Sequence, residues 1–249
     1  MNKFEMLHGD SLQILDKMDP ESIDLVVTDP GYKLTSGGAT DGNFSRWRDR
    51  WDYDNSGELF ECPEFSDWMP LVYKVLKKDA DFYSMTNDKN MEDMLTAARL
   101  AGFKLHNIIT WNKHTKIQNR WYMKQTEWII YFYKGRAQTI NYPNTSNMIH
   151  KPLNGFKKID HPSQKDPSLM EIFIKNSSKP GDLVLDPFAG VASTGVAAAR
   201  LRRRFKGIEI NSNYAKIAKH NLEIAYGIKP EINPGGFVQD KLFEEESNE

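Results

Sequence analysis

The chain has 249 residues, 39% of them hydrophobic, which allows one large domain with a sizeable core. Cys62 is the only cysteine, so a disulfide framework is excluded and a cytoplasmic location is expected. No Cys and His cluster has zinc spacing, so no metal site is expected. The first residues form no apolar signal region, and no apolar stretch approaches the roughly 20 residues of a membrane span, which argues against secretion and membrane insertion.

The formal net charge of −1 conceals a strong segregation of charge along the chain. Residues 1–101 hold 11 Lys and Arg against 20 Asp and Glu, residues 102–165 hold 11 against 2, and residues 166–249 hold 11 against 12. The basic middle segment interleaves its cations with aromatic and amide side chains, a mixture that suits phosphate contacts and base stacking. A solvated basic face with core aromatics is the alternative interpretation.

Apolar runs and helical periodicities alternate along the chain and predict an α/β fold. In the first part, the predicted strands are 4–7, 23–28, 82–86, 104–112 and 128–133, and the predicted helices are 11–17, 64–78 and 88–101. In the second part, the predicted strands are 183–185 and 205–210, and the predicted helices are 167–178, 192–201 and 212–226. Polar segments at 33–55 and 141–158 are predicted to be loops. This order favours a doubly wound, mostly parallel sheet with edge strands from the 104–133 region.

A turn that suits an amino group follows the strand at 23–28. In Asp29-Pro30-Gly31-Tyr32, Asp29 and the Pro30 carbonyl are acceptors, and Tyr32 offers an aromatic face. The exocyclic amine of adenine or cytosine is a poor nucleophile because its lone pair is delocalised into the ring. Two acceptors for its N–H groups favour a pyramidal nitrogen whose lone pair is directed at a methyl donor. An ordinary strand-ending turn is the alternative.

A second turn, after the strand at 183–185, suits a nucleoside cofactor. Gly190 and Gly195 let the backbone approach a ligand, and the next helix offers its N-terminal amides. Glu209 lies 23 residues beyond Asp186, about where nucleotide-binding α/β folds bind ribose hydroxyls. The absence of a phosphate fingerprint favours a cofactor without phosphates, such as S-adenosylmethionine (AdoMet). A glycine turn that only packs a helix on a strand is the alternative.

These segments resemble the DNA amino-methyltransferases of N6-adenine and N4-cytosine, in the sub-class whose catalytic DPPY segment precedes the AdoMet-binding segment. Residues 29–32 resemble the catalytic segment, and residues 186–195, DPFAGVASTG, resemble the family's DPFAGSGTTG. Residues 207–210 resemble the ribose-binding strand, residues 161–165 the HPTQKP segment, and Gly9-Asp10 an early segment near the cofactor's adenine. Residues 126–135 also resemble a family strand, so the similarity covers most of the chain.

The resemblance implies a Rossmann-like class I AdoMet-dependent methyltransferase fold with circularly permuted motif order. It implies one domain over 1–240, followed by an acidic tail, 241–249, that is expected to be disordered. Within the domain, the catalytic half is expected at about 1–140, a short target-recognition region at about 136–160 and the AdoMet-binding half at about 161–228.

The resemblance also implies AdoMet as the cofactor, double-stranded DNA with a flipped base as the substrate, and direct transfer without a covalent enzyme intermediate. The implied catalytic residues are Asp29, Pro30 and Tyr32. The implied cofactor-binding residues are Asp10, Ser163, Gln164, Lys165, Asp186, Phe188, Ala189, Gly190, Ser193, Thr194, Glu209 and Ile210. Among these, Lys165 is assigned to the cofactor's carboxylate and Glu209 to its ribose.

Asp29 at the first position of the catalytic turn points to N6 of adenine, because the family mostly has Ser or Thr there for N4 of cytosine, which is the alternative substrate. The residues predicted to contact DNA are Lys33, Arg46, Arg48, Lys113, His114, Lys116, Arg120 and Lys124. RNA as substrate, and a non-catalytic module that binds AdoMet or nucleic acid, also stay open. A glutamine methyltransferase is disfavoured because its motifs have the opposite order. A homodimer and a cognate restriction enzyme are expected partners.

Three residues depart from the family pattern. Gly31 replaces the second Pro of the catalytic turn, Ala192 replaces the second Gly of the cofactor loop, and Asp166 displaces the Pro after Lys165 to position 167. Gly31 is expected to make the turn less stiff, and Ala192 to add a methyl group where the backbone approaches the ligand.

Overall fold

The computed structural model describes residues 3–31, 63–117, 122–151 and 165–228, with the backbone alone at 115–117 and 124. Within those ranges the strands are β1 (Phe4–His8), β2 (Ile23–Thr28), β3 (Leu76–Thr86), β4 (Lys104–Ile117), β5 (Lys124–Tyr133), β6 (Met148–His150), β7 (Leu183–Asp186) and β8 (Arg204–Glu209). The helices are α1 (Ser11–Lys17), α2 (Phe65–Val75), α3 (Met91–Ala101), α4 (Pro167–Ser177), α5 (Ser193–Arg200) and α6 (Ser212–Ala225).

All eight strands form one sheet in the order β1-β8-β7-β2-β3-β5-β4-β6. The pairs from β1 to β3 are parallel, β5 is antiparallel to both β3 and β4, and β6 is parallel to β4. The predicted mostly parallel α/β sheet is therefore confirmed. The predicted edge is wrong in detail, because β5 lies inside the sheet and the short β6, within the segment predicted to be a loop, forms the outer strand.

Helices cover both faces of the sheet. One face packs α1, α2 and α3 against inward side chains such as Val26 and Phe82, with the fully buried Trp68 of α2 among them. The other face packs α4, α5 and α6, with Val27 and Phe173 in its cluster. The consecutive residues Val26 and Val27 of β2 thus face the hydrophobic clusters on opposite sides of the sheet. Because both sides of β2 are covered by helices, most of its buried positions are apolar.

Polar caps set the starts of several helices. Asp10 begins α1 by accepting a 2.7 Å hydrogen bond from the backbone N–H of Leu12. Asp166 begins α4 by accepting from the N–H of Ser168 at 2.8 Å, and Pro167 occupies the first turn. The departure at Asp166 therefore has a structural role, since it supplies the cap of α4.

All six helices and seven of the eight strands of the described ranges were predicted, in the observed order and with shifts at their ends, whereas β6 was not predicted. The largest shift is β3, which begins at Leu76, six residues before the predicted strand, because α2 ends at Val75 and the chain continues directly in extended conformation. β4 also extends to Ile117, beyond the predicted end at 112. No helix among the described residues is long and apolar enough to cross a membrane. The tail at 241–249 lies outside the described residues, and the predicted domain boundaries stay predictions.

Candidate active site

The two turns singled out in the sequence lie side by side at the carboxyl edge of the sheet. β2 and β7 are parallel neighbours, with Val26 opposite Leu185, so Asp29 follows one strand and Asp186 ends the next. The Thr28 hydroxyl donates a 2.7 Å hydrogen bond to Oδ1 of Asp186 across the two strand ends. The chain leaves β7 towards β8 and leaves β2 towards β3, in opposite directions along the sheet. Such a reversal opens a crevice in which doubly wound proteins bind ligands.

The carboxyl group of Asp186 is buried beneath this crevice. Burial raises its pKa to about 6, although the hydroxyls of Thr28 and Thr194 and the backbone N–H of Phe188 lower it. The nearby charge of Asp29 raises it further. The two carboxyl groups are thus close enough to interact electrostatically, as a shared site requires.

Glu209 occupies the end of β8, one strand further along the sheet. Its side chain is 8% exposed and accepts two backbone hydrogen bonds of 2.8 Å, from Gly190 and from Asn211. Its own carbonyl accepts from the N–H of Gly9, which follows β1. Asp10 and Glu209 therefore lie at neighbouring strand ends, and the ends of β1, β8, β7 and β2 together span roughly 14 Å at the usual strand spacing.

The glycine turn itself has three different kinds of position. Gly190 has φ of +54°, a left-handed conformation that glycine adopts without strain. The space that a side chain would occupy at this position is open, with no atom within 4 Å of the Cβ position. Ala192 is also left-handed, with φ of 68°, but its side chain is fully buried in the α4 to α6 core. The expectation that its methyl group faces the ligand is therefore wrong. The methyl group adds backbone strain instead.

Gly195 is in α5 and serves packing. A Cβ at this position would lie 2.5 Å from Leu222 of α6 and 2.7 Å from Phe205 of β8. Gly195 is therefore needed for the close packing of α5 against its neighbours, and the expected approach of its backbone to a ligand stays a prediction.

Two apolar side chains border these strand ends. Ile210, directly after β8, is 60% exposed. Phe188 is half-buried and packs edge-on against Trp68, with ring centroids 5.2 Å apart. An apolar wall beside carboxylates and open glycine backbone suits a ligand with an aromatic ring and polar groups.

A chain of alternating charges extends from Asp29 into the β4 and β5 hairpin. Lys165 Nζ lies 3.0 Å from Asp29 Oδ2 and 3.4 Å from Glu127 Oε2. Lys113 Nζ lies 2.7 Å from the other oxygen of Glu127, Oε1. Each of the four side chains is at most about one-fifth exposed, so solvent screens these pairs much less than surface pairs.

The two carboxyl groups of this chain respond differently. Burial raises the pKa of Asp29, and the Lys165 ammonium opposes that rise without cancelling it. Burial also tends to raise the pKa of Glu127, but the ammonium groups of Lys165 and Lys113 outweigh it and the pKa lies below the usual range. Glu127 is therefore a fixed negative charge, whereas Asp29 is the more easily protonated partner.

Comparison with known proteins shows which family the chain belongs to. The sequence model described as DNA methylase, of N6 and N4 methyltransferases, matches residues 23–220. The chain belongs to this family of DNA methylases. It is 35% identical over 244 residues to type II methyltransferase M2.DpnII of Streptococcus pneumoniae, covering 89% of this chain and 90% of that protein. It is 30% identical to the DNA adenine methyltransferase YhdJ of Escherichia coli strain K12, covering 88% and 83%.

Solved structures support the fold of this methylase. The complex of M1.HpyAVI with SAM has a TM-score of 0.66 at 24% identity and covers 88% of this chain and 98% of that one. The PvuII cytosine-N4-specific DNA methyltransferase has a TM-score of 0.70 at 19% identity, covering 91% and 92%. The expected Rossmann-like methyltransferase fold is thereby confirmed.

The structure of the methylase tests the predicted DNA contacts unevenly. The Lys113 side chain is buried and paired with Glu127, so its predicted contact with DNA does not agree with the structure. His114 is exposed beyond it, at a left-handed backbone position. The remaining predicted residues outside the described part are Tyr32, Lys33, Arg46, Arg48, Arg120, Ser163 and Gln164, and the side chains of Lys116 and Lys124 also lie outside it.

Glu127 is the residue of the methylase site that the sequence pattern did not single out. In the sequence it is only one member of the segment 126–135 that resembles a family strand. Its position follows from the pairing of Glu127 with Trp111 across β5 and β4, which brings Lys113 alongside. The signal in the sequence was weak but present, since Glu127 is one of only 2 acidic residues among residues 102–165.

Proposed function

We propose that this methylase transfers a methyl group from AdoMet to the N6 amino group of adenine in DNA. The observation that carries the proposal is the junction of Asp29 with the Asp186 turn at the β2 and β7 strand ends, tied by the Thr28 hydrogen bond. This junction puts an amine acceptor next to the predicted cofactor loop. The relatives named type II and adenine methyltransferases support the substrate.

Asp29 and the buried Pro30 carbonyl supply the two acceptors that the target amine needs. Their hydrogen bonds to the two N–H groups draw the nitrogen lone pair out of conjugation and orient it, which is the positioning contribution of the chain. The amine must be extruded from the duplex to reach this crevice, and Tyr32 is expected to stack on the flipped base. With AdoMet bound, the amine held here would attack the methyl carbon as the carbon–sulfur bond breaks, which would leave a neutral thioether, and the proton lost by the amine would pass to solvent.

The residues along the strand ends fit AdoMet. Glu209 is a buried carboxylate at the position expected for a ribose, Ile210 is an exposed apolar side chain beside it, and Gly190 leaves open space above its backbone. Asp10 closes the row at β1. When bound, AdoMet supplies the electrophilic methyl group. The chain contributes the carboxylates at the strand ends as hydrogen-bond acceptors and the apolar side chains beside them. Transfer to an amino group needs no cysteine nucleophile, whereas methylation of cytosine at C5 does.

Methyl transfer to DNA tests the proposal directly. The protein is incubated with unmethylated DNA and AdoMet carrying a labelled methyl group, and the digested nucleosides are separated. We expect the label in N6-methyl-2′-deoxyadenosine. Asp29→Ala should lose this product, and Glu171→Gln should keep it. Label in N4-methylcytosine would replace the adenine substrate with the alternative, and no label in any nucleic acid, RNA included, would leave a binding module.

The type II names of the relatives also support a restriction and modification setting, so we propose a cognate restriction nuclease as partner and a cytoplasmic location. A homodimer is proposed from the family resemblance. Sedimentation equilibrium of the full chain, alone and with a DNA duplex, distinguishes a dimer from a monomer. The partner would be identified as a nuclease that cuts unmethylated DNA and does not cut the same DNA after this protein has modified it.

A further inference from the structure

The Lys165 ammonium contacts the carboxylate of Asp29, which the proposed reaction needs as a hydrogen-bond acceptor. At 3.0 Å from Asp29 Oδ2 it forms a charge-assisted contact that is stronger than the bond a neutral amine offers. A substrate amine therefore competes with Lys165 for Asp29. An ammonium with no second partner would resist displacement, because removing it leaves a buried charge unpaired.

Glu127 provides that second partner. Its Oε2 atom is 3.4 Å from Lys165 Nζ and has no closer hydrogen-bond donor among the residues of the described ranges. Both carboxylates thus approach one ammonium, with Asp29 the nearer by 0.4 Å, the difference between 3.4 and 3.0 Å. A small rotation of the lysine side chain is enough to exchange the nearer partner.

The elements around the lysine are held so that only its side chain has to move. Lys113 fixes Glu127 through Oε1 at 2.7 Å, from the adjacent strand of the hairpin. The backbone carbonyl of Lys165 accepts a 2.7 Å hydrogen bond from the Ser193 hydroxyl at the start of α5. The next residue, Asp166, caps α4. Backbone and acceptor are both anchored, and the flexible four-carbon stem lies between them.

We propose that Glu127 is a positioning residue of the transfer reaction. Glu127 shares the Lys165 ammonium with Asp29, and it becomes the nearer partner of that ammonium when the target amine binds to Asp29. This inference rests on the proposed function. Lys165 favours the ionised form of the acceptor before the substrate arrives, and Glu127 keeps the lysine from blocking it afterwards. Lys113, 2.7 Å from Glu127 Oε1, gives the single charge of Glu127 a cationic partner while Lys165 is nearer to Asp29.

The test compares the full-length protein with Glu127→Gln, Lys165→Met and Lys113→Met. Glu171→Gln is the matched control, because Glu171 makes a similar ion pair, 3.1 Å from Arg200, outside the site. Two quantities are measured. One is the pH midpoint of the Asp29 carboxyl carbon in ¹³C NMR, assigned by its loss in Asp29→Asn. The other is kcat and KM for AdoMet and DNA as a function of pH.

Charged groups facing Asp29 are Lys165, Glu127 and Asp186. Glu127→Gln removes a negative neighbour of both Asp29 and Lys165, so the Asp29 midpoint and the acid limb of kcat shift to lower pH. Lys165→Met and Lys113→Met remove positive charge and shift the midpoint to higher pH. In Glu127→Gln, kcat falls about tenfold because the amine must displace a more tightly held lysine, while KM for AdoMet stays within about twofold. Glu127→Asp recovers part of kcat.

An Asp29 midpoint that is the same in the starting protein and Glu127→Gln, or an unchanged kcat in that variant, overturns the sharing of Lys165. A loss of stability with equal losses in every kinetic constant indicates a purely structural role and also overturns it. If the starting protein transfers no methyl group, the proposed function fails. The NMR midpoints then decide by themselves whether the two carboxylates share the lysine.

Discussion

Thr28 and Asp186 join the ends of β2 and β7 through one buried hydrogen bond of 2.7 Å. Both residues are almost fully buried, so the hydroxyl satisfies a carboxyl group that water does not reach. Thr28→Val keeps the shape of the side chain and removes the donor. We expect unfolding free energy to fall by about 1–3 kcal/mol, the usual cost of leaving a buried polar group without its partner.

Urea unfolding of Thr28→Val and the starting protein at pH 7, with Thr96→Val as a control at an exposed site of α3, measures this cost. At pH 4, where the Asp186 carboxyl group is mostly protonated, the difference should be smaller. Equal stability of the two variants at pH 7 would show that the contact is dispensable.

Asp186 gives stability a definite dependence on pH. Its folded pKa is about 6 and its ordinary value is 3.8, so between these values the folded state binds more protons than the unfolded state. The contribution of Asp186 to unfolding free energy therefore falls as pH rises through this window, by up to about 3 kcal/mol for a shift of this size. Asp186→Asn should remove this slope.

The measurement is the difference in unfolding free energy between Asp186→Asn and the starting protein at several pH values from about 4 to 7. That difference should move in favour of the variant as pH rises. A difference that is constant with pH would mean that the folded and unfolded pKa values of Asp186 are alike. The difference isolates Asp186, because the other titrating groups are common to both proteins.

The sequence was sufficient for those parts of the site that follow from strand order. Asp29 and Asp186 each end a predicted parallel strand, and carboxyl ends of parallel strands meet at one edge, so their proximity was foreseeable. The contact of Lys165 with Glu127 was not, because it depends on the register of β4 and β5 and on the cap at Asp166. Register is set by which face each hairpin residue buries, and the basic 113–124 segment gives no apolar alternation to specify it.

Gly195 illustrates a second limit of the sequence. A glycine in a cofactor motif suggests a ligand, yet only the packed structure shows Leu222 and Phe205 at the place of its missing side chain. Gly to Ala in a helix ordinarily stabilises by up to about 1 kcal/mol. Here the added methyl group overlaps two side chains, so Gly195→Ala should instead destabilise by about 1–3 kcal/mol. Thermal and urea unfolding give the sign, and a gain in stability would contradict the packing role.

The buried Lys113 leads to a prediction about DNA affinity. Each phosphate that a cation neutralises contributes about 0.9 to the slope of log K against log salt concentration. Lys113 is paired with Glu127 and is 9% exposed, so Lys113→Met should leave this slope unchanged. Lys116→Met should reduce the slope by about 0.9 if its predicted phosphate contact forms.

Fluorescence anisotropy of a labelled duplex, titrated between about 50 and 200 mM salt, yields both slopes. Equal reductions for the two variants would place Lys113 at the DNA after all. If the slope is unchanged in both variants, Lys116 does not contact a phosphate, and the buried Lys113 is still placed away from the DNA.

Ala192 holds a left-handed backbone with a buried methyl group, two features with opposite effects on stability. Replacing it with Gly relieves roughly 1 kcal/mol of strain but loses about 0.8 kcal/mol of methyl burial and adds freedom to the unfolded chain. We expect Ala192→Gly to stay within about 1 kcal/mol of the starting protein. Ala198 is equally buried in the helical part of α5, so Ala198→Gly loses the methyl group and helix propensity together and should cost about 2 kcal/mol. Urea unfolding that finds both variants equally destabilised would show that position 192 carries no strain.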